Sequence, residues 1–136
     1  MFPSFFHDET ESALILRVDW LEKEAGISDA FFSHMLKIDQ KTFSRWRNKS
    51  GALSEEPREN LQEFWQTTLH ILSLLNFEAE RLRIMLEQYA EKDNWKTPLD
   101  PPWTGTSLRE YFESQGPSSI KKVSQWAEDI RFANSY

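Results

Sequence analysis

Eight side chains between Lys37 and Lys49 have the chemistry to hold a nucleic acid: Lys37, Gln40, Lys41, Ser44, Arg45, Arg47, Asn48 and Lys49. Arg pairs with guanine edges, Gln and Asn pair with adenine edges, and Lys, Arg and Ser donate to phosphate oxygens. Their spacing suits one helix. If residues 40–48 are helical, Phe43 and Trp46 share an inward face, with Ile38 just ahead of them. Gln40, Lys41, Ser44, Arg45 and Asn48 then turn outward as the groove-reading set. Lys37, Arg47 and Lys49 flank the helix and suit phosphate contacts. Ser28, at the start of the preceding helix, completes the expected DNA-binding set. The same pattern is also met by an ordinary packing helix with a solvated basic face.

Charge is unevenly divided. The 136-residue chain carries −6 overall, but from Lys37 to Lys49 five cations meet only Asp39. That stretch is therefore +4, and the remainder is −10. A cationic patch on an acidic body attracts phosphate while the body resists non-specific adhesion.

Other chemistries find little support in the sequence. With no cysteine, thiol catalysis, disulfides and cysteine-based zinc sites are excluded, and a reducing, cytoplasmic setting is expected. His7, His34 and His70 lack metal-ligand spacing, and the four glycines form no phosphate-cradling loop. Neither an enzyme nor a cofactor is expected. No apolar run approaches the roughly 18–20 residues that span a bilayer, so no membrane role is expected. Phe2, Phe5 and Phe6 are expected to pack on the first helix, since the N-terminus lacks the pattern of a signal peptide.

The elements that position the basic stretch read as helices almost throughout, giving an all-α fold. The first helix is expected over 10–25, with Leu14, Leu16, Val18 and Leu21 among its apolar residues and Gly26 as its stop. Ser28 caps a second helix that runs to about Leu36. Lys37-Ile38-Asp39 is the turn, and Asp39 caps the third helix. Pro57 sits early in a fourth helix reaching about Leu75, built on Leu61, Phe64, Trp65 and Leu72. Asn76 is a candidate cap for a fifth helix over 78–91. A Pro- and Gly-bearing loop covers 92–107, and two further helices are expected at 107–114 and 119–132. The division is a helix-turn-helix region over 1–56 packed with a helical region over 57–136.

The stretch "WLEKEAGISDAFFSHMLKIDQKTFSRWRNKSGAL" resembles the helix-turn-helix of the Xre/Cro-type repressors. In that family a Gly-x-Ser opens the second helix and a polar third helix lies in the major groove. Lys37 stands where the family's turn often has glycine. The resemblance implies a sequence-specific transcriptional regulator that binds double-stranded DNA as a homodimer.

More weakly, "PPWTGTSLREYFESQGPSSIKKVSQWAEDIRF" resembles the toxin-binding region of Xre/MbcA/ParS-type antitoxins. That implies a toxin as protein partner, contacted by Trp103, Leu108, Tyr111, Phe112 and Trp126. Leu108, Tyr111 and Phe112 are at helical spacing, as are Ile120, Val123 and Trp126, and such sets also serve as ordinary core. Three functions follow: a DNA-binding regulator, an antitoxin-like protein that silences a partner and autoregulates, and a helical adaptor without DNA binding.

Overall fold

A computed structural model describes residues 10–90 and 100–133. Phe2, Phe5, Phe6, His7 and residues 92–99 of the expected loop lie outside the described residues. Seven helices are present among them: α1 Glu11–Ala25, α2 Asp29–Leu36, α3 Gln40–Arg47, α4 Glu55–Leu74, α5 Ala79–Glu87, α6 Leu108–Gln115 and α7 Pro117–Ala133. The fold is all-α, as the periodicity predicts.

The starts of three helices are set by hydroxyl caps. Thr10, Ser28 and Ser107 accept hydrogen bonds from the amides of Ala13, Phe31 and Glu110, which satisfies donors left open in a first turn. Gly26 ends α1 in the left-handed region at φ 70°. Asp39 occupies the cap position of α3, but its side chain makes no capping hydrogen bond. The Asp39 carbonyl instead takes the Phe43 amide at 3.1 Å.

The fourth and fifth helices are separate. Asn76 and Phe77 both adopt positive φ, 55° and 58°, which breaks the chain after Leu74 and leaves Glu78, not Asn76, at the cap position of α5. The fifth helix ends at Glu87, short of the expected 91. There the backbone turns to pair with the returning loop: the Ala90 amide donates to the Thr106 carbonyl at 2.9 Å, and Gly105 donates to Ala90 at 2.7 Å. α7 starts two residues earlier than expected, because Pro117 is well suited to a first helical position.

One buried cluster runs through both halves of the chain. α4 packs along α7, α2 packs on α6 and α3, and α1 packs on α5. At the centre, Phe31 of α2, Phe64 of α4 and Phe112 of α6 form an aromatic knot with centroids 5.1–6.1 Å apart. The boundary expected at 56/57 therefore does not divide the core. Within α1 the inward face is also shifted. Leu16 is 47% exposed, while Arg17 is buried with its guanidinium 5.5 Å from the Trp65 ring centre. Among the described residues no helix is long and apolar enough to cross a membrane.

Candidate nucleic-acid interface

α3 is held from one side. Phe43 is fully buried and stacks on Phe32 at 5.2 Å with the planes 15° apart. Trp46 is buried beside it, and its indole N–H donates to Glu11 Oε1 of α1 at 2.5 Å. Ile38 is partly buried against the same cluster. The expected inward set is thus inward, and Trp46 serves as an anchor rather than an exposed stacking surface.

The turn before α3 closes tightly. The Ile38 amide reaches back to the Ser33 carbonyl at 3.1 Å and the Lys37 amide to His34 at 3.3 Å, the paired bonds of a Schellman closure. That geometry requires a left-handed residue, and Lys37 fills it at φ 59°, ψ 43°. A residue with a Cβ pays about 1 kcal/mol there. Its aliphatic stem then crosses Gly116, where an added Cβ would come 2.8 Å from Lys37 Cε. After α3, Lys49 is also left-handed, at φ 62°, and Ser50 donates its amide to the Arg45 carbonyl at 2.8 Å.

Opposite the anchors, Lys41, Arg45 and Asn48 follow an i, i+4, i+7 stripe and are exposed. Gln40, Lys37 and Lys49 are exposed as well, and so is Thr42, a residue outside the expected set. Lys37, Lys41, Arg45 and Lys49 make no ion pair with a described residue. Ser28 is exposed at the start of α2, with its hydroxyl oxygen already accepting the Phe31 amide at 3.2 Å.

Two members of the expected set are turned elsewhere. Ser44 is half-buried and donates to Asp29 Oδ2 of α2 at 3.2 Å, which draws its hydroxyl off the outward face. Arg47, expected to contact phosphate, is turned toward carboxylates of α1 and α2. Its Nε and Nη2 meet Asp19 Oδ1 at 2.8 and 2.7 Å, its Nη1 meets Asp29 Oδ1 at 2.6 Å, and Nη1 also pairs with Glu22. Burial alone would lower the pKa of this guanidinium. Hydrogen bonds to Asp19 and Asp29, with the charges of Asp29 and Glu22, outweigh it and hold the pKa above the usual arginine value. The three carboxylates lie 18 to 28 positions away in sequence, beyond the reach of any local pattern.

The expected partner-binding residues are also corrected. Trp103, Leu108 and Phe112 are fully buried, Tyr111 and Trp126 nearly so, and Trp103 meets Trp126 edge-on at 4.7 Å. Leu108, Tyr111, Phe112 and Trp126 lie on α6 and α7, which pack on α2 and α4, and Trp103, in the segment before α6, packs on Trp126. Among the described residues, the large apolar side chains left exposed are Leu16, Phe77, Ile84, Tyr89 and Phe132. His34 is exposed, with Nδ1 3.2 Å from Glu113 of α6.

The arrangement can present donors to a phosphate-lined groove from one helix side while the other side stays fixed. No family model matches the sequence, and no curated protein matches it significantly.

Proposed function

We propose that this chain is a sequence-specific double-stranded DNA-binding regulator of the Xre/Cro type. The observation that carries the reading is the two-sidedness of α3. Phe43 and Trp46 bolt one side to the core, and the other offers Lys41, Arg45 and Asn48, with unpaired Lys37 and Lys49 at its ends. A helix so mounted enters a major groove as a rigid probe. Gln40, Lys41, Arg45 and Asn48 are the base-reading candidates, with Ser44 at their flank. Lys37 and Lys49 are the phosphate candidates, and Ser28 is exposed at the start of α2, the end opposite Lys37.

An eight-residue helix covers few base pairs. Action as a homodimer on half-sites about 34–36 Å apart would multiply its affinity. The antitoxin reading lacks a surface at the five residues expected to contact a toxin, which are buried. The test is fluorescence titration of labelled duplexes from upstream of the chain's own gene against unrelated duplexes of equal length. Wild type is expected to prefer one upstream duplex, and K41A/R45A is expected to lose that preference. Equal binding of both duplex types by wild type, or full retention by the double variant, would reject the reading.

A further inference from the structure

The acidic residues beside α3 pose a problem for any phosphate-bearing ligand. Asp19 and Glu22 of α1 and Asp29 of α2 stand along the flank that holds Ser44 and the end of α3, next to Asn48 and Lys49. Bare, they would repel a DNA backbone approaching that end of the helix. Arg47 sits among them with a side chain only 20% exposed, and each of its three nitrogens is used on a carboxylate. Asp29 is shared: one oxygen takes Arg47 and the other takes Ser44. A single side chain thus joins the last turn of α3 to the second half of α1 and to the first residue of α2. Its planar fork suits this multiple contact, which an ammonium could not reproduce.

We infer that Arg47 is a positioning residue for DNA binding, not a DNA ligand: it fixes the end of α3 against α1 and α2 and offsets part of the negative charge of Asp19, Glu22 and Asp29, of which Asp19 and Glu22 stay 48% and 41% exposed. The inference rests on the DNA-binding reading and adds a division of labour within the basic stretch. Four cations, Lys37, Lys41, Arg45 and Lys49, face outward, and the fifth is spent internally to make the acidic flank tolerable.

The experiment is a cycle of four proteins: wild type, R47Q, D19N/E22Q/D29N, and the combined quadruple variant. Each is titrated with the preferred duplex over about 50 to 200 mM salt, with K49A as a reference for a lost phosphate contact. R47Q in the wild-type background is expected to weaken binding about ten-fold, as coupled neighbours do. In the carboxylate-free background the same change is expected to cost less than about three-fold, because nothing remains to be offset or tied. The salt slope is expected to change little on R47Q, whereas K49A lowers it by about one.

An equal loss in both backgrounds, with the slope lowered by about one, would overturn the inference and make Arg47 a phosphate ligand. R47K supplies a second discriminator should R47Q not fold. A phosphate ligand tolerates lysine, but a clamp does not, so near-wild-type binding by R47K also overturns the proposal. If wild type binds no duplex at low salt, the DNA reading itself fails. The clamp then remains readable from urea midpoints, expected to fall in R47Q and to recover in the quadruple variant relative to the triple.

Discussion

Replacing Trp46 by alanine is expected to unfold the chain more readily before it does anything specific to DNA. The indole is 1% exposed, touches Phe43 at 5.6 Å between centroids, and donates to Glu11. A tryptophan buries up to about 250 Å², and at roughly 25 cal/mol per Å² that is worth up to about 6 kcal/mol before alanine's share and denatured-state compaction are removed. Measured Trp→Ala changes in cores cost about 3–5 kcal/mol, and we expect about 4. For a chain of this size, roughly 3–5 °C is lost per kcal/mol, so the melting temperature should fall by about 12–20 °C. Trp46→Phe keeps most of the apolar body and loses the N–H donor. Because Glu11 is about half exposed and rehydrates, this change should cost only about 1–2 kcal/mol. Urea unfolding followed by far-UV circular dichroism gives both numbers, and a duplex titration well below each midpoint reads DNA affinity. The reasoning is refuted if Trp46→Ala shifts stability by less than about 1 kcal/mol while abolishing binding, since that is the pattern of an exposed stacking residue.

Lys37→Gly should relieve left-handed strain and raise stability by about 0.5–1 kcal/mol in a urea melt, while lowering the salt slope of DNA binding by about one. Gly116→Ala should cost about 1–3 kcal/mol, since its φ of 66° and ψ of −145° suit only glycine and an added Cβ meets Lys37. Burial raises the Tyr111 phenol pKa above 10.0. The folded state therefore keeps a proton that the unfolded chain releases above about pH 10, and stability falls as pH rises through that window. Tyr111→Phe should shallow that fall when urea midpoints are compared between about pH 8 and 11.

The helices were legible because their signals are local. Thr10, Ser28 and Ser107 announce caps, and Phe43 with Trp46 announces an inward face at three-residue spacing. What escaped the sequence depends on distant partners. Arg45 and Arg47 look alike in the chain, yet one is exposed and the other meets three carboxylates from α1 and α2. Arg17 looks like surface and is buried, because Trp65 offers it a ring face. Leu16 looks like core and is half exposed, since α1 turns its other side toward the interior. The end of α5 was invisible for the same reason: Ala90 pairs with residues past 100.

The aromatic knot of Phe31, Phe64 and Phe112 bears on how this chain can be cut and recombined. A fragment ending at residue 56 would carry the whole of α3 yet strip Phe31 of Phe64 and Phe112 and Phe32 of Phe64. Its two eight-residue helices are also too short to persist alone in water. The segment that carries α3 is therefore not a portable cassette. Grafting it onto another protein would require α4 and α6, which supply Phe64 and Phe112, to travel with it.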